Sequence, residues 1–372
     1  MKPAQRLSAL ALLLTTLGVA GCGGGGGGGG NDASTGQVNA NGISGLNYQT
    51  ASQSGTTSAR GEFRYYPGET LSFAVGDLAL VSGVPAQRYV TPLEFFAVTR
   101  NALTDAMVDS QNLRSHRLTE QQLLQNNTLM NLTRFLMSLD WTEGVKEGEG
   151  IEIRQRVIDQ LNRALPNVQG AIDFTVPPQT FAATGASMSP ANQLLAQICF
   201  YEKDDELCEA PPTQAEIDGA PIRPDDEALW DPNVEYRQDL INKRDRILNA
   251  VRSIDDVATE DARDYLTHEL DAITTVYGNR YYLDDDIANV AASDTAIKSV
   301  TLRKIGGTPS LQDIEAISTR PVDVTVHSWS WQTAQVEYFV SGDAGGSSEL
   351  LINFRPDDTY RWIRKSLRVR IE

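Results

Sequence analysis

The sequence predicts an α+β protein: a small N-terminal antiparallel β module, a helical middle containing an α-helical hairpin, and a C-terminal antiparallel sheet. Three observations predict it. Apolar residues alternate with polar ones between Ile43 and Leu93, recur at helical spacing between Leu123 and Tyr277, and alternate again from Val322 onward. The expected boundaries are a leader over 1–21, a tether over 22–42, the β module over 43–95, a mainly helical domain over 96–295 and a sheet region over 296–372. A chain of 372 residues, 41% of them apolar, can bury one large core or two ordinary ones.

The leader comes first. Lys2 and Arg6 give a short positive start, Leu7 to Val19 is mostly apolar, and the small residues Ala20 and Gly21 precede Cys22. An apolar stretch this short with these flanks reads as a secretory signal peptide and not as a membrane span. The order Val19-Ala20-Gly21-Cys22 resembles the lipobox of bacterial lipoproteins. The resemblance implies cleavage before Cys22 and acylation (palmitate among the chains) of its sulfur and new amino group. Gly23 in the next position then implies sorting to the outer membrane, facing the periplasm or the cell surface. Outer-membrane lipid, reached through acylated Cys22, is the first expected partner. The glycine run Gly23 to Gly30 and the polar stretch to Asn41 read as coil. Such a tether has a root-mean-square reach on the order of 25 Å.

The β module is read from Phe63 and Tyr65, then from Leu71, Phe73 and Val75, with Gly61, Pro67-Gly68 and Gly76-Asp77 as turns. Gly45-Leu46-Asn47-Tyr48, Gly61-Glu62-Phe63-Arg64-Tyr65, Phe73-Ala74-Val75-Gly76-Asp77-Leu78, Thr91-Pro92-Leu93 and a helix ending in Leu139-Asp140 succeed one another. Together, over residues 43–153, they are similar to a module recurring in uncharacterised proteobacterial surface lipoproteins. That resemblance implies an address and an architecture, with hardly any chemistry.

The middle is read as helices. Leu123, Leu124, Met130, Leu132, Phe135, Leu136 and Leu139 share one face of a helix, and Val157, Ile158, Leu161 and Leu165 begin another that Pro166 ends. Residues 170–235 read as loops with a short helix near Leu194-Leu195. Cys199 and Cys208 are expected to form a disulfide, as two thiols nine positions apart would in an oxidising compartment. Leu240, Ile241, Ile247, Leu248, Val251 and Ile254, then, after a break near Asp255-Asp256, Ala262, Leu266, Leu270, Ile273 and Tyr277, read as the two arms of the hairpin. Four strands close the chain: Val322 to Trp331, Gln335 to Ser341, Glu349 to Phe354 and Tyr360 to Ile371.

Charge excludes one class of function. Lys and Arg number 32 against 49 Asp and Glu, a net charge of −17 that becomes −19 once Lys2 and Arg6 leave with the leader. Sequence-neutral nucleic-acid binding needs the opposite balance, so no nucleic-acid partner is expected. No cofactor and no metal site is expected either. His116, His268 and His327 stand apart; His268-Glu269 lacks the second histidine one turn on, where Ala272 sits. The acids following Asp140 lack the alternation of a calcium loop, and Asp284-Asp285-Asp286 reads as a helix start.

Two surfaces remain as ligand candidates. On the first closing strand, Asp323, Thr325, His327, Trp329 and Trp331 are read as one face, with the tryptophans either a stacking platform for sugar or peptide or part of a two-sided core, the latter favoured. On the last strand, Arg364, Arg368 and Arg370, with Arg361 and Lys365 nearby, form the one basic cluster, read as a surface for phosphate-bearing lipid, as partners for the chain's own acids or as a solvated edge, the last favoured. The expected function is a lipid-anchored envelope protein with a non-catalytic binding or scaffold role toward an envelope protein or glycan. The alternatives are a secreted hydrolase of envelope polymers, with His268 or His327 as acid/base, and an accessory component of envelope lipid or solvent transport.

Overall fold

The alternation between Ile43 and Leu93 becomes short strands because every second side chain reaches a shared aromatic core. The computed structural model describes residues 33–142, 144–145 and 148–372; the expected leader, Cys22 and the glycine run lie outside the described residues. Eight strands open the described chain: β1 (Ser34–Val38), β2 (Ile43–Ser44), β3 (Asn47–Gln49), β4 (Ser54–Thr56), β5 (Glu62–Tyr65), β6 (Thr70–Val75), β7 (Leu78–Pro85) and β8 (Tyr89–Val90). They form an antiparallel sheet β4-β3-β6-β7 and a small sheet β5-β1-β8, in which β1 runs antiparallel to β5 and parallel to β8. On β6, Leu71, Phe73 and Val75 are buried. Phe73 stacks on Phe95 at 5.3 Å and meets Phe63 edge-on at 5.9 Å.

The module begins earlier than the sequence predicts. Residues 33–42, expected as tether, belong to the fold: Val38 and Asn39 are completely buried. The Glu269 carboxylate accepts hydrogen bonds from the backbone N–H groups of Ala40 (2.5 Å) and Asn41 (2.9 Å) and from the Asn41 side chain (2.6 Å). Gly45 holds φ at +84°, and a Cβ there would lie 2.1 Å from the carbonyl oxygen of Ile153. That contact needs glycine twice over, for its dihedral and for its missing side chain.

The middle of the chain is helical. A capping box at Thr91 and Glu94 opens α1 (Pro92–Phe95), and α2 (Ala97–Ala102) comes after it. A hairpin of β9 (Met107–Val108) and β10 (Arg114–Ser115) leads into α3 (His116–Leu123) and α4 (Asn127–Ser138). The single helix expected to run to Leu139 is thus two. The Asn126 side chain accepts from the Leu129 N–H at 3.1 Å and caps a new start. β11 (Ile151–Glu152) then returns to pair parallel with β2. The helix α5 (Gln155–Ala164) gives way to a 3₁₀ turn containing Pro166, as expected. Next come α6 (Pro178–Phe181), α7 (Pro190–Leu195) and α8 (Gln214–Gly219). Cys199 and Cys208 are disulfide-bonded, with Cα atoms 5.4 Å apart.

Two longer helices, α9 (Arg237–Asn249) and α10 (Thr259–Gly278), occupy the span read as a hairpin, but their faces go to different partners. The helix α10 packs on α4, whereas α9 buries only Ile247 and leans on α8 and the turn at Cys208. Leu248 and Val251 are exposed. Charged and amide residues fill nine of the 13 positions of α9, so it has too narrow an apolar stripe to hold a second helix.

The chain ends in eight further strands: β12 (Tyr281–Leu283), β13 (Ile287–Val290), β14 (Lys298–Lys304), β15 (Leu311–Ser318), β16 (Val324–Ser330), β17 (Gln335–Val340), β18 (Ser347–Pro356) and β19 (Ile363–Ile371). The four strands read from sequence are present. They do not make one sheet: they divide between β12-β14-β17-β16 and β13-β19-β18-β15, and β13 joins β19 in parallel. Asp284-Asp285-Asp286 lies between β12 and β13, where Asp284 accepts from the Thr301 N–H, and starts no helix.

Two apolar cores result. The first joins the β module to α4, α5 and α7; the second fills the C-terminal sheets. The helix α10 serves both, giving Leu266 and Leu270 to the first and Ile273 and Tyr277 to the second.

Candidate functional site

The tryptophan surface read from sequence is divided by a β-bulge between Val326 and Ser328. One extra residue in a strand moves the side chains beyond it to the opposite face. Trp329 therefore stands opposite Val336, a core residue, at the rim of the inner side. His327 stays outside, with its ring edge-on to Phe339 at 6.4 Å. Trp329 is 50% exposed and Trp331 46%, so neither is core, and neither shares a continuous face with His327.

The basic cluster is also dispersed. The strand β19 lies between β13 and β18, so it is not an edge. Arg364 pairs with Asp109 at 2.6 Å and donates to Gln111, the partnership with the chain's own acids. Arg368 stands opposite Glu349, and both it and Arg370 face outward. Arg361 is buried, only 1% exposed.

The histidines occupy three separate places. His268 lines a cavity of about 280 Å3 beside Asp261 and Asp264, while its neighbour Glu269 is buried and engaged with Ala40 and Asn41. His116 belongs to a buried polar cluster. Its Nδ1 accepts the Trp362 N–H at 3.0 Å, so in the neutral ring Nε2 carries the proton and faces the Thr274 hydroxyl at 3.1 Å. Burial holds its pKa well below the ordinary value, and the cations of Arg361 and Arg117 act in the same direction.

Glu120, one turn further along α3, accepts from the Tyr360 hydroxyl at 2.6 Å and lies 3.8 Å from the Arg361 guanidinium. Burial raises its pKa, with Arg361 and the Tyr360 hydrogen bond opposing. Tyr360 is pushed far up by burial, and its ring lies under Arg361 at 4.4 Å. Burial works against the charge on Arg361, but Tyr360, Glu120 and Glu94 outweigh it. Its Nε and Nη2 have no hydrogen-bond acceptor among the described residues.

A cleft of about 530 Å3 opens on the other side of Tyr360, between the β module and the C-terminal strands. Tyr65, Gln87, Arg88 and Glu94 line it from the module, and Gln312 and Arg355 from β15 and β18. The Tyr65 ring is buried, but its hydroxyl makes no hydrogen bond among the described residues. Burial raises the Tyr65 pKa, opposed by Arg88. Glu94 is already satisfied. It accepts from the Thr91 N–H and hydroxyl, and from Gln87 at 3.2 Å. Arg88 and Arg355 have no ion-pair partner among the described residues, and the buried Nε of Arg355 has no acceptor. None of these residues stands out as a site in the sequence. They lie between positions 65 and 360, and only the packing of the two ends of the chain assembles them.

No family model matches the chain, and no curated protein matches it. A solved structure of S-layer protein SbsC domains 4 and 5 is 19% identical at a TM-score of 0.20, over 24% of this chain and 50% of that one. The chain thus spans half the length of that structure, and a likeness this slight carries no argument.

Proposed function

We propose that the protein is a lipid-anchored component of the bacterial outer membrane, held through acylated Cys22, that binds a hydroxyl-rich envelope ligand, a glycan, in the cleft between its β module and its C-terminal sheets. The anchor rests on the lipobox-like run Val19 to Cys22 and the glycine tether behind it. The observation that carries the binding role is the cleft's inventory of polar groups that make no hydrogen bond among the described residues: the Tyr65 hydroxyl, the Gln312 amide and the guanidinium groups of Arg88 and Arg355. Concave sites that pair flat apolar faces with a few convergent polar groups suit small ligands. Sugars offer the complement, with C–H faces for rings and hydroxyls for amides and guanidiniums.

Two measurements test the reading together. Metabolic labelling with a clickable fatty acid should mark the wild type and not Cys22→Ala, with the wild type fractionating in the outer membrane. Calorimetry against envelope oligosaccharides should show binding that Tyr65→Phe weakens. A soluble, unlabelled wild type would remove the anchor; oligosaccharides that bind equally well to wild type and Tyr65→Phe would remove the cleft.

A further inference from the structure

We infer that the cleft seats an anionic group of its ligand, a carboxylate or phosphate carried on a sugar, between Arg355 and Arg88. This rests on the glycan reading and adds the ligand's charge. The Nε of Arg355 is shut away from solvent without an acceptor, although the side chain lines an open cleft. A guanidinium recognises a carboxylate or phosphate through two parallel N–H donors, and Nε with a neighbouring Nη is one such fork. A buried donor left unmatched is costly, so a side chain that turned this Nε into the cleft would gain most from an acceptor there.

The charges around it point the same way. Arg88, Arg100 and Arg355 line the cleft against Glu94, Asp357 and Asp358, a formal balance. The acids are already matched. Glu94 is held by Thr91 and Gln87, Asp357 accepts from the Ser310 hydroxyl at 2.7 Å, and Asp358 pairs with Arg280 at 3.5 Å. Of the three arginines, Arg100 donates to the Glu94 carbonyl oxygen at 2.7 Å and Arg88 lies over the Tyr89 ring at 5.5 Å, while neither Arg88 nor Arg355 has an ion-pair partner among the described residues. The donors left without a partner in the cleft are therefore cationic. Charges more than a screening length of about 8 Å away are damped, so the groups lining the cleft outweigh the acidic balance of the whole chain.

Calorimetry on the full lipidated chain in detergent would test this with matched probes: trigalacturonate against neutral galactotriose, and glucose 6-phosphate against glucose. The expected result is that at least one acidic probe binds about tenfold or more tightly than its neutral parent. Arg355→Gln should erase that preference, Arg88→Gln should reduce it, and Arg355→Lys, which keeps charge but loses the fork, should fall between. Preference for trigalacturonate alone names the carboxylate, and for glucose 6-phosphate alone the phosphate. A neutral parent bound as tightly as its acid, or a preference that survives in a folded Arg355→Gln, overturns the anion subsite and leaves the glycan reading standing. No binding of any probe overturns both.

Discussion

Arg361→Met is the most informative perturbation of the buried cluster. The wild-type cation is 1% exposed and lies 3.8 Å from Glu120, with Glu94 also within its field. Removing one member of a buried ion pair costs about 3–5 kcal/mol, because the remaining charge keeps its desolvation penalty. Unfolding entropy of about 2.1 cal/mol/K per residue gives roughly 0.7 kcal/mol/K over Ala33–Glu372. The expected fall in Tm is then about 4–7 °C at neutral pH. The loss depends on pH. Burial raises the Glu120 pKa above the ordinary glutamate value, so the folded state holds that proton more tightly than the unfolded chain. Its contribution to stability is full below the unfolded value and is lost as pH rises through the folded one. Without Arg361 the folded value climbs further and the loss grows. His116 acts in the same sense: Arg361 helps to hold the ring neutral, so the variant is penalised less when acid protonates it. Thermal melts of wild type, Arg361→Met, Glu120→Gln and the double variant at pH 5 and pH 8 measure this. The deficit should be larger at pH 8, and Glu120→Gln should recover part of it. An equal deficit at both pH values, or no recovery in the double variant, would refute the reasoning.

Other contacts give further expected outcomes. Glu269→Ala leaves three donors on Ala40 and Asn41 without their acceptor. It should cost at least about 2 kcal/mol and speed hydrogen exchange over residues 34–41. Reducing the Cys199–Cys208 bridge should cost about 2–3 kcal/mol in the chain-entropy account, read as a lower Tm in dithiothreitol. Gly45→Ala forces a Cβ onto the Ile153 carbonyl oxygen at a positive φ, and about 3 kcal/mol of lost stability is expected in urea titrations. Trp329→Ala and Trp331→Ala should each change stability by less than about 1 kcal/mol while removing acrylamide-quenchable fluorescence.

What the sequence reveals depends on whether a single element carries the signal. The strand β6 and the helix α4 bury every apolar residue of a clear repeat, so periodicity finds them. The strand β1 carries one apolar residue, Val38, and is held by β5, β8 and Glu269 from three distant parts of the chain, so its sequence reads as coil. On α9 the apolar positions are at the right spacing, but only Ile247 is covered; spacing shows which residues share a face, not what they meet. At β16 the bulge defeats a strict period of two and separates His327 from Trp329. The cleft is illegible in the sequence because Tyr65 reads as part of an alternating strand and Arg355 falls just past the strand read to Phe354, and nothing local says that they line one space.

The position of β1 also governs how the protein bears load. It is the middle strand of its sheet, bonded on both edges, and Ala40 and Asn41 directly after it are fastened to Glu269. Ladder hydrogen bonds lie across the strand direction. A tug arriving along the chain at Ala33 therefore pulls on both ladders in shear, stretching their bonds together instead of peeling them one at a time. A strand hung from an edge by one ladder would unzip under a much smaller force. If the body is moored by its N-terminal side, as proposed, the strand nearest the attachment is one arranged to resist being dragged out.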